Sequence, residues 1–128
     1  MYIEDIENQT KMYNDFTLTV AFNYGSKQEI LNACKKISKD VKDNKININS
    51  IDDELFSSYL YTKDLPNVDL IIRTSGEQRL SNFLLWQLSY AELYFPKCYF
   101  PDFNEEEYDK ALLEYTKRDR RFGSSNNE

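Results

Sequence analysis

Apolar and small polar residues alternate along Phe16-Thr-Leu-Thr-Val-Ala-Phe22, and the β-branched content of that run predicts a strand. Asn23-Tyr24-Gly25 breaks the alternation. From there the period lengthens. Ile30, Cys34, Ile37 and Val41 share one face of a helix running from Ser26 to about Asp43, opened by the capping box Ser26-Lys-Gln-Glu29. Lys42 to Asn49 is polar and reads as a loop, after which Ser50-Ile-Asp-Asp53 repeats the capping pattern. A helix with Ile51, Leu55 and Tyr59 inward is expected next, stopped by Pro66. Val68, Leu70, Ile71 and Ile72 predict a second strand.

Asn82 to about Ala91 is apolar nearly all round, which predicts a helix buried on most sides, with Ser81 as its N-cap. A short third strand around Leu93 to Phe95 ends near Pro96, and Phe100-Pro101-Asp102-Phe103 turns the chain. Asn104-Glu-Glu-Glu107 caps the last predicted helix, whose Tyr108, Ala111, Leu112 and Tyr115 face the core. Lys117, Arg118, Arg120 and Arg121 fall in its last turn and complement the dipole, and Gly123 suits the C′ position. Residues 1–13 read as the tail of a helix, and Ser124 to Glu128 as a disordered tail.

The resulting order, (α)β-α-α-β-α-β-α, implies parallel strands joined by helical crossovers, hence an α/β fold: a parallel β-sheet covered by helices. Three strands make a small sheet, and the unit reads as an incomplete part of a larger α/β domain. An unfinished parallel sheet leaves an apolar face or an open edge, which invites association.

Composition narrows the chemistry. A formal charge of −6 over 128 residues argues against a general nucleic-acid binder. Positive charge is instead clustered, at Arg73 and Arg79 and again from Lys117 to Arg121. Histidine is absent, which removes His-based acid–base mechanisms and most zinc sites. Cys34 and Cys98 have no metal-ligand spacing and read as buried or half-buried free thiols in a reducing compartment. The longest apolar run, Phe83 to Trp86, is far too short to span a bilayer.

The candidate chemistry lies where the second strand ends. Arg73, Glu77 and Arg79 occupy a glycine-containing loop that closes on Ser81 and the predicted helix. Free backbone N–H groups and the dipole at a helix N-terminus favour an anion, and two guanidiniums add bidentate hydrogen bonds to phosphate oxygens. In open α/β sheets ligands sit beyond the carboxyl ends of the strands, where this loop falls. Glu77 is placed to orient an arginine. Glu92, in an apolar stretch, needs a partner: an arginine, a hydrogen-bond donor or a divalent cation.

The run Arg73-Thr-Ser-Gly-Glu-Gln-Arg79-Leu-Ser81-Asn-Phe-Leu-Leu-Trp-Gln87, followed by Tyr90-Ala-Glu-Leu-Tyr-Phe95, resembles the signature of cis-prenyltransferases. Asn23-Tyr24-Gly25, Leu65-Pro66, Pro101-Asp102-Phe103 and Arg120-Arg121-Phe122-Gly123 follow the family in order as well, so that residues 1–123 resemble the C-terminal portion of a single domain of that family. The resemblance implies condensation of isopentenyl diphosphate with an allylic prenyl diphosphate, with Mg2+. It implies that Arg73, Arg79, Leu80 and Ser81 bind the isopentenyl substrate, that Glu92 helps to bind magnesium, and that Arg121 and Gly123, in an Arg-X-Gly motif, reach a partner's site across a dimer interface. A cytoplasmic enzyme, associated peripherally with a membrane through its lipid product, is also implied.

The chain departs from that family in two places. The N-terminal motif close to Met-Asp-Gly-Asn-Gly-Arg-Trp-Ala, whose aspartate binds magnesium and whose loop holds the allylic diphosphate, has no counterpart, and Gln78 stands where some members have histidine. Half of an active site is therefore expected, inactive alone and completed by a homodimer or by a chain supplying the N-terminal half. The alternative expectation is a non-catalytic subunit that completes another chain's site through its Arg-X-Gly motif; a mis-started reading frame is a third.

Overall fold

Leu70–Ile72 and Glu92–Tyr94 (β1 and β2) pair in parallel, with Leu70 opposite Glu92 and Ile72 opposite Tyr94, in a computed structural model that describes residues 2–119. Tyr2–Thr10 forms α1, Ser26–Lys42 α2, Asp53–Ser57 α3 and Glu105–Thr116 α4, with single 3-10 turns at Ile48–Ser50 and Phe100–Asp102. The parallel α/β order follows the sequence pattern. So does the cap of α4, where the Asn104 side chain accepts a hydrogen bond from the Glu107 amide. α4 packs on β2.

The core is small. Ala33, Ile37, Leu60, Leu88, Pro96 and Ala111 are its buried apolar residues among those described, accompanied by two buried polar ones, Ser26 and Glu29. On α2 the buried positions run Ser26, Glu29, Ala33 and Ile37, the i, i+3 and i+4 spacing of one helix face. Cys34 lies off that face and is exposed, contrary to the expectation of a buried thiol, whereas Cys98 is half-buried. On α4 only Ala111 is buried; Tyr108 and Leu112, expected inward, are exposed.

Three predicted elements differ. Phe16 to Phe22 has no regular secondary structure and belongs to no sheet among the described residues, and Phe16, Leu18, Val20 and Phe22 are 79%, 78%, 73% and 93% exposed. Alternation makes a chain fit for a strand, but a strand needs a ladder partner to be one. The second capping motif gives only the five-residue α3, capped by Asp52, whose side chain accepts from the Leu55 amide, and Ile51 is exposed.

The segment 81–90 is a succession of turns, not the predicted helix. Ser81, Asn82 and Leu84 have φ of 49°, 64° and 46°, the left-handed region, which a right-handed helix cannot contain. Isolated helical bonds survive, such as Leu88 N–H to the Leu84 carbonyl at 3.0 Å. The Leu85 amide instead donates to Ser26 Oγ at 2.9 Å, on α2.

Candidate functional site

β1 delivers Arg73 at its carboxyl end, and the loop that follows is sewn to the chain after β2. Arg73 N–H donates to the Tyr94 carbonyl (2.9 Å), Ser75 N–H to the Cys98 carbonyl (2.7 Å) and Gly76 N–H to the Pro96 carbonyl (2.8 Å). Ser75 and Gly76 take φ of 69° and 65° to make the turn. A glycine is suited to the second of these positions, since a side chain there is strained at that φ. These three amides are committed to the protein and are not available to an anion. The expected cradle of helix N-terminal amides at Ser81 is absent too, because no helix starts there.

The loop's side chains carry the positive charge that an anion would meet. Arg73 is half-buried, and its guanidinium has no ion pair or hydrogen bond among the described residues. Arg79 is exposed and its Nη1 donates to Glu77 Oε2, the orienting contact expected of Glu77. Leu80 is half-buried and its carbonyl accepts from Phe83 N–H at 3.0 Å. Ser81 is exposed. Arg73, Arg79, Leu80 and Ser81 thus share one loop between β1 and the turns of 81–90. Arg73 is anchored to β2, and the Ser81 end is anchored to α2.

That second anchor is a buried polar cluster. The Glu29 carboxylate, 1% exposed, accepts from Tyr24 Oη, from Tyr61 N–H at 2.7 Å and from Gln87 Nε2 at 3.1 Å. Gln87 Nε2 also donates to Thr62 Oγ1 at 3.0 Å. Burial, and then the bond to Glu29, push the Tyr24 phenol up to about 12. Tyr24 packs edge-on against Phe83, ring centres 5.7 Å apart. The sequence pattern places Glu29 at the far end of a capping box; its carboxylate turns to the core instead, and Gly25, at the N-cap, offers no side chain. Sequence periodicity does not flag this cluster. The one local hint is Glu29 on the same helix face as Ala33 and Ile37.

Glu92, on β2, accepts from Arg118 Nη1 at 2.8 Å. No group of three His, Cys, Asp or Glu side chains suited to a metal ion occurs among the described residues. One carboxylate already paired with a guanidinium does not by itself fit a magnesium ion. Arg121 and Gly123 lie outside the described residues. A cavity of about 820 Å³ opens between α3 and the chain at 60–68 and 86–90, bordered by Trp86, Gln87 and Tyr90, and includes none of the loop arginines. No helix among the described residues is long and apolar enough to cross a membrane.

Residues 1–123 match the family model of undecaprenyl diphosphate synthase. The chain is 52% identical over 125 residues to the isoprenyl transferase of Fusobacterium nucleatum, covering 98% of this chain and 51% of that protein. It is 48% identical over 121 residues to the geranylgeranyl-diphosphate-specific tritrans,polycis-undecaprenyl-diphosphate synthase of Thermoplasma acidophilum, covering 94% and 47%. Its fold matches lavandulyl diphosphate synthase from Lavandula x intermedia, solved with dimethylallyl diphosphate, at a TM-score of 0.90 and 37% identity, over 95% of this chain and 52% of that one. The chain spans about half the length of the curated relatives it matches. With the family model matched over nearly its whole length, the chain belongs to the undecaprenyl diphosphate synthase family, a family of prenyl-transferring enzymes.

Proposed function

We propose that this chain supplies the isopentenyl-diphosphate subsite of a cis-prenyl chain-elongating enzyme and does not turn over alone. The observation that carries the reading is the loop after β1, where Arg73 presents a guanidinium without an ion pair or hydrogen bond among the described residues, and Arg79 an exposed one steadied by Glu77. Two forked cations at the carboxyl end of a parallel strand suit a diphosphate, whose charge they offset and whose oxygens they fix. Holding that substrate still against an allylic partner is the contribution such a subsite makes to the rate. Leu80 and Ser81 complete it, with Arg121 and Gly123 acting from the C-terminal motif at a dimer interface.

The allylic prenyl diphosphate needs residues from elsewhere, supplied by polypeptide equivalent to the half of the relatives that this chain does not span. The exposed Phe16 to Phe22 segment supports such an assembly. Glu92 would give one ligand to Mg2+, the others coming from diphosphate oxygens and the complementary half. Magnesium supplies charge neutralisation of a departing diphosphate. A cytoplasmic location, with membrane contact through the lipid product, goes with this reading.

The test has two arms. The purified chain, given magnesium, farnesyl diphosphate and isopentenyl diphosphate, yields no product above background, and the first half of the Fusobacterium nucleatum isoprenyl transferase, added as a separate polypeptide, restores it. Turnover by the chain alone overturns the half-site reading. Failure of the wild-type chain to bind isopentenyl diphosphate in a calorimetric titration overturns the subsite.

A further inference from the structure

The substrate-binding end of the loop is held in a conformation that it does not favour by itself. Ser81, Asn82 and Leu84, none of them glycine, all have left-handed φ. Asparagine tolerates that region, but serine and leucine visit it rarely, so something outside the loop must fix them.

The fixing element is the N-terminus of α2. Its N-cap position is Gly25, which has no side chain to cap with. The first amides of the helix turn instead to Asn82. Ser26 N–H donates to the Asn82 carbonyl at 2.8 Å and Lys27 N–H to Asn82 Oδ1 at 2.9 Å, while Asn82 Nδ2 donates to Gln28 Oε1 at 3.2 Å. Ser26 Oγ, fully buried, then takes the Leu85 amide at 2.9 Å. A residue 55 positions along the chain therefore caps α2. Gly25 leaves room for it, since a Cβ there would come within 2.8 Å of Asn82 Nδ2 and 2.3 Å of Gln28 Oε1.

We propose that Asn82 is a positioning residue: by capping α2 from outside the helix it locks the adjoining Ser81, and with it the Arg79 end of the loop, in the geometry that receives a diphosphate. The inference rests on the subsite reading above and assigns the pre-organisation of that subsite to a carboxamide that need not touch the substrate. The exchange is mutual. α2 gains a partner for amides that a helix start leaves unpaired, and the loop gains a rigid frame.

Three substitutions at one position separate the cap from the backbone. Asn82→Gly accepts the left-handed φ but lacks the acceptor for Lys27 N–H. Asn82→Ala lacks the acceptor and strains the backbone. Asn82→Asp keeps the acceptor and tolerates the φ, and its charge falls at a helix N-terminus that favours it. The full chain is titrated calorimetrically with isopentenyl diphosphate, and with inorganic pyrophosphate, at a temperature where circular dichroism shows every variant folded.

The Ala and Gly variants are expected to bind about five- to tenfold more weakly, from the loss of one cap, with Asp restoring affinity to within about threefold of wild type. Amide exchange at Lys27, whose acceptor is the Asn82 side chain, should speed up in the Ala and Gly variants only. Full affinity in Asn82→Gly, or equal loss in Asn82→Asp and Asn82→Ala, overturns the positioning role. A wild-type chain that binds neither ligand overturns the subsite and this role with it, whereas binding that all three variants retain overturns this role alone.

Discussion

Glu29 and Gln87, 58 residues apart, meet through a 3.1 Å hydrogen bond from Gln87 Nε2 to the Glu29 carboxylate, tying the buried face of α2 to the chain that follows the arginine loop. The same carboxylate holds the Tyr61 amide and the Tyr24 phenol. Every partner is a donor, and the cost of burying the side chain is offset by three bonds. Removing the acceptor leaves those donors stranded. Glu29→Ala is expected to lower stability by roughly 2–4 kcal/mol, and Glu29→Gln by roughly 1–3 kcal/mol because its amide nitrogen must face a donor. Urea unfolding followed by the fluorescence of the sole tryptophan, Trp86, measures both. A loss below about 0.5 kcal/mol in the alanine variant would mean that the cluster is solvated.

Tyr24 provides the pH dependence. Its phenol is raised to about 12 by burial and by its bond to Glu29, from the ordinary value of 10.0. The folded chain thus keeps the proton where the unfolded chain has given it up. Below pH 10 this costs nothing and the stabilisation is complete; it is lost as pH rises from about 10 through about 12. Wild type should therefore lose stability across that window more steeply than Tyr24→Phe. A phenolate absorbance titration should also show one late-ionising tyrosine fewer in the variant. Coincident stability curves would remove Tyr24 from the account.

The parts of the fold that sequence discloses are those fixed by neighbours within a few residues. Asn104 caps α4 because the Glu107 amide is three residues away, and α2 forms over the expected span, although its buried face runs through Ser26, Glu29, Ala33 and Ile37 and shares only Ile37 with the face the period predicts. The β1–β2 pair follows from two apolar runs with a crossover between them. What the pattern misses is set from a distance. Phe83 to Trp86 carries helical apolarity, yet α2 draws Asn82 and the Leu85 amide to itself and the segment is held in turns. Phe16 to Phe22 has a strand's alternation without a ladder partner among the described residues. The arginines of the candidate site were legible as residue types in a loop. That the amides of Arg73, Ser75 and Gly76 are spent on Tyr94, Cys98 and Pro96 was not, because those bonds join separate segments.

Arg79 should behave as a substrate contact and not as a structural one. Its pair with Glu77 is exposed and contributes little to folding, under about 1 kcal/mol. Arg79→Ala is expected to leave the thermal midpoint nearly unchanged while weakening isopentenyl diphosphate at least about tenfold, the worth of a charge-assisted bond. Arg79→Lys should recover only part of this, since a point charge replaces a fork. Unchanged affinity in Arg79→Ala removes the residue from the subsite.

Arg118 and Glu92 join the end of α4 to β2, with side chains 36% and 24% exposed. At that exposure the pair is expected to contribute under about 1 kcal/mol, less as salt is added. Arg118→Gln should therefore fold normally and release the Glu92 carboxylate. Equilibrium dialysis of magnesium against the wild-type chain, Arg118→Gln and Arg118→Gln/Glu92→Gln resolves the two roles of Glu92. Weak binding that appears only in the single variant marks Glu92 as a ligand masked by Arg118, and equal retention in all three marks it as structural.

Leu18 and Val20 test what the exposed segment from Phe16 to Phe22 is for. Both are more than two-thirds exposed, at 78% and 73%, so Leu18→Lys/Val20→Lys removes almost no buried area and should leave the thermal midpoint of the chain where it is. An alternating apolar segment with unsatisfied ladder groups is a template for another strand, and lysines on it are a known deterrent to such pairing. The wild-type chain mixed with the first half of the Fusobacterium nucleatum isoprenyl transferase should elute together from a sizing column, and the double variant should not. If both chains associate equally well, the complementary half docks on another surface. If the wild type forms only dimers of itself, which the lysines dissolve, a second copy covers this segment.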